Sequence, residues 1–247
     1  MYDKNGVTGL LEKLGSLLKS KVTVYLIGGG NMSIKGLKAV TKDVDFVVMS
    51  RKDLNELKPS LEQLGLRIDE QLFKDAFYQD AVLVFQDASG SRIDFFVKTV
   101  SKQLALSEAM RKRSKEHAAS GNLKVMLVSN EDLFLLKSMT DRPQDVDDCL
   151  ALLENGLDWN VILQECVAQH RQDAKWVFWL YEQLCRIEEA KNLIIPEKSE
   201  VFSICAENWG KRPEDFMWGL SKEQVRKHIP AKYQDEVLES LKELERR

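Results

Sequence analysis

The sequence predicts an α+β fold, with a strand-rich domain over residues 1–128 and an all-helical domain over residues 129–247. Three observations predict it. Before residue 128, short β-branched and aromatic runs stop at glycines or turn residues. After it, apolar residues recur at helical spacing in one segment after another. The strands also do not continue as regular strand–helix–strand units, which argues against a doubly wound parallel sheet.

In chain order, "VTGLLEKLGSLLKS" carries Leu10, Leu11, Leu14, Leu17 and Leu18 at helical spacing and predicts an amphipathic first helix. "VTVYLI", stopping at Gly28, predicts a buried strand. "MSIKGLKAV" predicts a short helix, "DVDFVVM" a second strand, and "RKDLNELKPSLEQLG" a helix closed by Gly65. "AVLVFQDASGSRIDFFVKTV" holds two apolar runs around Ser89 and Gly90 and predicts a β-hairpin. A long helix is expected through "EAMRKRSKEHA", with "LKVMLVS" as the last strand.

Beyond that strand, Ser129 or Asn130 can cap "EDLFLLKSM", whose first turn carries Asp132. Pro143 suits the first turn of "PQDVDDCLALLEN", which Gly156 closes. Asp158 can cap "WNVILQECVAQH", and helices are expected through "AKWVFWLYEQLCRIEEA" and "KYQDEVLESLKELERR". Trp176, Phe178, Trp179 and Tyr181 stand too close together to share one helix face, so some of them are core.

The 247 residues suffice for one large domain or two modest ones. A formal charge of −3 gives no global attraction to nucleic acid, so any such contact needs a local basic patch. No apolar run approaches a membrane span and "MYDKNGVTGL" lacks a signal-peptide pattern, so a cytoplasmic protein is expected, without a membrane partner. Cys149, Cys166, Cys185 and Cys205 are widely separated and read as buried, reduced thiols on helix faces. His117, His170 and His228 are isolated, which leaves a hard, oxygen-ligated metal as the kind this sequence suits.

The chemistry concentrates in "VYLIGGGNMSIKGLKAVTKDVDFVV". Gly28, Gly30 and Ser33 approximate a dinucleotide-binding GxGxxG, with the last glycine missing and Arg51 and Lys52 where an NADP site could place a basic residue. That reading makes an NADP-dependent oxidoreductase, but it leaves "DVD" awkwardly at the start of a strand buried on both faces. A metal site explains the aspartates better. Asp43 and Asp45 are two apart on a strand, so their carboxylates share a face, with Cα atoms roughly 6.5–7 Å apart. In "SRIDFFVK", Ile93, Phe95 and Val97 share one face and leave Asp94 on the other. If this strand lies beside "DVDFVV", three carboxylates converge, and their mutual repulsion calls for Mg²⁺.

These residues resemble the DNA polymerase β nucleotidyltransferase superfamily, whose pattern is a GG turn, about a dozen residues, an Asp-x-Asp strand and a third acid on a later strand. Within it the chain is most similar to the small prokaryotic branch that includes AbiEii-type toxins. "LKSMTDRPQDVDDCLALL" extends the likeness, with Lys137, Arg142, Asp145 and Asp148 in that branch's order and spacing. Three positions depart from the pattern. Gly30 and Asn31 stand where the family often has Ser or Thr, Ala39 stands where an arginine is often found, and Gln144 replaces a basic residue.

The resemblance implies a mixed sheet flanked by helices, and a Mg²⁺-dependent enzyme, with Mn²⁺ as a substitute. It would move a nucleoside monophosphate from an NTP to an acceptor hydroxyl and release pyrophosphate. Asp43 and Asp45 would bridge two ions and Asp94 would bind one of them beside the attacking hydroxyl. Gly28, Gly29, Gly30 and Asn31 would cradle the triphosphate, and Lys137 would contact phosphate. Asp145 and Asp148 share a helix face and would orient Lys137 or Arg142, or bind base or acceptor.

The dense basic run "RKRSKEH", with Arg111, Lys112, Arg113 and Lys115, is either a solvated helix face or a docking stripe for an RNA or tRNA acceptor. A protein or small-molecule hydroxyl fits the same catalytic half. An alternative is a catalytically silent binding or regulatory module of the same fold, working with an antitoxin-like protein partner.

Overall fold

A computed structural model describes residues 1–69, 83–100, 104–140, 142–170, 175–214, 216–217 and 220–244. Ala81 and Val82 of the expected hairpin, Ala174 and the last three residues lie outside that range. The chain divides into two compact units, Met1–Lys137 with Ala151–Leu157, and Ser138–Leu150 with Asp158–Arg247.

The first unit holds β1 (Tyr2–Asp3), α1 (Lys4–Leu17), β2 (Val22–Ile27), α2 (Gly28–Ile34), β3 (Val40–Thr41), β4 (Asp43–Val48), α3 (Arg51–Gln63), β5 (Arg67–Ile68), β6 (Leu83–Gln86), β7 (Arg92–Val97), α4 (Glu108–Arg113), β8 (Lys115–Ser120), β9 (Leu123–Leu127) and most of α5 (Asn130–Ser138). Seven strands form one mixed sheet in the order β5-β6-β7-β4-β2-β9-β8, while β1 pairs with β3. The pairs β2–β9 and β4–β7 are parallel, and β2–β4 is antiparallel. A dinucleotide-binding βαβ unit needs its first two strands parallel, so the NADP reading fails on topology.

Alternation along the central strands decides what each sheet face does. Val44, Phe46 and Val48 of β4 and Ile93 and Phe95 of β7 pack into one core with Leu10, Leu14, Leu54, Leu57 and Leu61 of α1 and α3. Asp43, Asp45 and Asp94 therefore lie on the opposite face. The β6–β7 hairpin forms as expected, its turn tied by Ser89 and Ser91 backbone N–H groups donating to Asp87.

Two local expectations are corrected. The helix expected over "MSIKGLKAV" starts earlier, at Gly28, and ends at Ile34, where Gly36 in the left-handed region turns the chain. The long helix expected through "EAMRKRSKEHA" stops at Arg113: the Ser114 hydroxyl donates to the Met110 carbonyl, and the chain leaves extended as β8. There it pairs antiparallel with β9 at the sheet edge, a hairpin closed by Gly121 and Asn122 whose pairing outweighs the segment's helical propensity.

The second unit holds most of α6 (Pro143–Glu154), with α7 (Trp159–His170), α8 (Lys175–Lys191), α9 (Lys198–Glu207), α10 (Lys222–His228) and α11 (Gln234–Leu244). Its core gathers Phe178, Tyr181, Phe202 and Phe216, and Trp176 of α8 is also buried. The four cysteines are free and buried, and burial pushes the thiols of Cys166 and Cys185 up to about 12. A polar cluster sits among these helices: Glu188 accepts from Lys198 and from the Ile195 N–H, and His228 Nε2 lies 2.8 Å from Glu189 Oε1. No helix among the described residues is long and apolar enough to cross a membrane.

Candidate active site

Strand register brings the acids together. Asp45 of β4 pairs across the parallel ladder with Asp94 of β7, and Asp43 pairs with Arg92. Paired residues in a parallel ladder share a face, so these four side chains stand in two adjacent rows. Asp94 is 4% exposed.

Arg92 changes what Asp43 can do. Its Nε donates to Asp43 Oδ1 at 2.7 Å and its Nη2 to Asp43 Oδ2 at 2.6 Å, a fork-to-fork pair. Each Asp43 oxygen already accepts a charged hydrogen bond. Among the described residues, no three His, Cys, Asp or Glu groups are arranged to hold a metal ion. The sequence carried one signal for Arg92: it lies two before Asp94 and so shares its face. Which aspartate it would face depended on register.

The glycines form the first turn of α2, directly after β2. Gly28 is left-handed at φ +58°, and a Cβ there would lie 2.2 Å from Asp45 Oδ2. A Cβ on Gly29 would lie 2.3 Å from the Thr41 hydroxyl oxygen, and Thr41 donates to the Asp43 carbonyl at 2.9 Å. A Cβ on Gly30 would meet Leu26 at 3.2 Å. Gly28 is therefore pressed directly onto Asp45, while Gly30 packs toward the core residues Leu26 and Val44. Asn31, expected beside phosphate, points inward instead: it is fully buried and its amide donates to the carbonyls of Leu26 and Val128. Lys35 donates to Val128 O and to Asn130 Oδ1, and burial lowers its ammonium to about 8.

Lys137 lies in the last turn of α5 in the first unit and is 7% exposed. Arg142, Asp145 and Asp148 belong to the second unit. Within it, Arg142 Nε donates to Asp145 Oδ2 at 2.8 Å, Thr140 also donates to Asp145, and Asp145 and Asp148 are both buried. The basic run is largely compensated. Lys112 pairs with Glu108, and Arg113 pairs at 2.6 Å with the buried Asp132, whose backbone N–H is capped by Ser129. Arg111 keeps an Nε shut away from solvent and Lys115 is exposed at the start of β8.

The model of a family described as nucleotidyltransferase of unknown function (DUF6036) matches residues 7–184. No curated protein matches the chain. Among solved structures, the antibiotic-resistance factor ANT(2'')-Ia in solution is 15% identical with a TM-score of 0.49, covering 70% of this chain and 95% of that one. The crystal structure of ANT(2'')-Ia with adenylyl-2''-tobramycin is 16% identical with a TM-score of 0.47, covering 68% and 99%. JHP933 from Helicobacter pylori is 11% identical with a TM-score of 0.39, covering 97% and 96%.

Proposed function

The chain belongs to this nucleotidyltransferase family, and from that premise we propose that it transfers a nucleoside monophosphate from an NTP to an acceptor hydroxyl, releasing pyrophosphate. One observation carries the reading: Asp45 and Asp94 stand in register on the face against which the Gly28 backbone is pressed. An acid pair and a stretch of chain without side chains meet at one place, as a triphosphate with a reacting hydroxyl requires.

Gly28, Gly29 and Gly30 open a helix, so their N–H groups have no partner within it, and the N-cap residue, Ile27, makes no side-chain cap bond. Phosphate oxygens are the ligands such N–H groups favour, helped by the positive end of the helix. The absence of Cβ atoms allows that contact beside Asp45.

Asp45 and Asp94 suit a hard divalent cation, two carboxylates facing one space with no nitrogen or sulfur donor among them. Mg²⁺ or Mn²⁺ held there would supply charge neutralisation at the phosphate oxygens. Asp43 adjoins them on the same face, engaged by Arg92. In the transfer, the acceptor oxygen forms a bond to the α-phosphorus, the bond from that phosphorus to the bridging oxygen breaks, and pyrophosphate leaves. Asp94, nearly shut from solvent, takes the hydroxyl proton. Lys137, in the last turn of α5, is the candidate for phosphate charge. Arg142, Asp145 and Asp148 form the candidate base or acceptor contact, with Arg142 fixed by Asp145.

The ion pairs of Lys112 and Arg113 leave the basic run little net charge to attract a polyanion, so acceptor class has to be measured. Each α-labelled NTP, with Mg²⁺ or Mn²⁺, would be offered in parallel with cellular RNA, cellular protein and a panel of small polyhydroxy compounds. Label entering one pool identifies the acceptor class. Metal-dependent NTP binding without label in any pool would favour a silent module.

A further inference from the structure

We propose that Thr41 is a positioning residue for nucleotidyl transfer: its hydroxyl fixes the start of the acid strand β4 against the glycine turn, and so sets the spacing between the Asp45 carboxylate and the N–H groups of Gly28, Gly29 and Gly30. The inference rests on the reading of this place as a nucleotidyltransferase site.

Two close approaches pin the glycine turn to the residues around the acids. β2 and β4 are antiparallel with Ile27 opposite Asp45, so the chain beyond Ile27 runs back along the residues that precede Asp45. Asp45 sits against Gly28, and Thr41 sits against Gly29. Thr41 Oγ1 lies 2.3 Å, and its Cβ 3.0 Å, from where a Cβ on Gly29 would stand. The third neighbour, Lys38 Cδ, is at 3.8 Å, an ordinary contact. Gly29 is not left-handed, unlike Gly28, so space rather than backbone conformation requires glycine there, and Thr41 fills that space.

The same hydroxyl reaches the acid strand. It donates to the Asp43 carbonyl at 2.9 Å across Lys42, the one residue between β3 and β4. Thr41 is only 7% exposed, so water is a poor substitute for this bond. Backbone pairing with Tyr2 of β1 holds Thr41 from a further side.

The transfer needs N–H groups on the phosphates and a carboxylate beside the reacting hydroxyl, at a fixed separation. The N–H groups belong to α2 and the carboxylate to β4, and one oxygen atom of Thr41 touches both elements. Misplacement by about 1 Å at a reacting centre costs roughly 10²-fold in rate. Loss of the hydroxyl leaves every group in the protein but frees the spacing between them. The penalty therefore falls on kcat rather than on the KM for NTP, which the α2 N–H groups still set.

The test is label transfer from α-labelled NTP into whichever acceptor pool wild type labels, with kcat and KM measured for Thr41→Val and Thr41→Ser. Thr41→Val keeps the branched shape and removes the hydroxyl. It should lower kcat at least tenfold and leave KM within about threefold, and Thr41→Ser should restore both to within about threefold of wild type. Circular dichroism establishes that each variant folds, and Thr41→Ala replaces Thr41→Val if that variant does not. A double-mutant cycle reads the contact without activity: Gly29→Ala should lower the urea midpoint at most half as far in Thr41→Ala as in wild type. Wild-type kcat in folded Thr41→Val, a Thr41→Ser variant as slow as Thr41→Val, or a raised KM with kcat unchanged would overturn the inference and leave the site standing. Equal midpoint shifts in the two backgrounds would overturn the contact it rests on. No label from any NTP with wild type would overturn the reading of the site, and the role of Thr41 with it.

Discussion

The Asp45 carboxylate fills the space that a Cβ on Gly28 would need, with Oδ2 only 2.2 Å from that position. Gly28 also sits at φ +58°, a region that costs an L-residue about 1–2 kcal/mol. Gly36, at φ +77° with nothing within 4 Å, separates the two effects. Gly36→Ala should lose only about 1 kcal/mol of stability. Gly28→Ala should lose more than that and should displace Asp45, abolishing transfer. Denaturant unfolding beside an α-label transfer assay checks both, and equal effects of the two substitutions would contradict the close approach.

Asn31 lies in the glycine stretch but serves the fold. Its amide joins the ends of β2 and β9 by donating to the Leu26 and Val128 carbonyls. Asn31→Ala leaves the Leu26 carbonyl without that donor in a buried place, at a cost of about 1–3 kcal/mol. The unfolding midpoint should drop accordingly, while NTP affinity measured by calorimetry on the folded fraction should stay within about threefold. A large loss of affinity with little loss of stability would return Asn31 to the phosphate.

Lys35 makes stability depend on pH in a definite sense. Burial lowers its ammonium from 10.5 to about 8. Below pH 8 both folded and unfolded chains hold the proton, and the cost of the buried charge is fully present. Between about 8 and 10.5 the unfolded chain binds more protons, so this residue's contribution to stability improves as pH rises. The difference in unfolding free energy between wild type and Lys35→Gln should therefore shift in favour of wild type from pH 7.5 to pH 9.5. A difference that is flat with pH would contradict the assignment.

Within the basic run, Arg113 is structural. Arg113→Met strands Asp132, whose side chain is 1% exposed, and should cost about 3–5 kcal/mol. Lys112→Ala and Lys115→Ala, at exposed positions, should change stability by no more than about 0.5 kcal/mol. Urea melts of the three variants rank them directly.

Much of this was legible in the sequence because it depends on local pattern. Alternation in "DVDFVV" and "RIDFFV" placed the acids opposite the core residues Val44, Phe46, Ile93 and Phe95, and the β6–β7 hairpin followed from its turn. What depended on long-range pairing was not legible. The Arg92–Asp43 contact needs the β4–β7 register, 49 residues apart in sequence. The inward amide of Asn31 needs the end of β9, 97 residues away. The conversion of "KEHAAS" from helix to β8 is different in kind, because β9 follows after only Gly121 and Asn122 and that hairpin turn stood in the local sequence. The Arg92 and Asn31 contacts are made with neighbours that the local pattern does not name.

The central claim is that Asp45 and Asp94, side by side on one sheet face with Asp45 against Gly28, carry nucleotidyl transfer. The most direct measurement is pyrophosphate release and label transfer from α-labelled NTPs by wild type, Asp45→Asn and Asp94→Asn, with folding checked by circular dichroism. These near-isosteric changes remove charge and leave shape, so both variants should stay folded and lose roughly 10²-fold or more in rate. Folded variants that transfer label as fast as wild type would contradict the account and move the chemistry away from this face of the sheet.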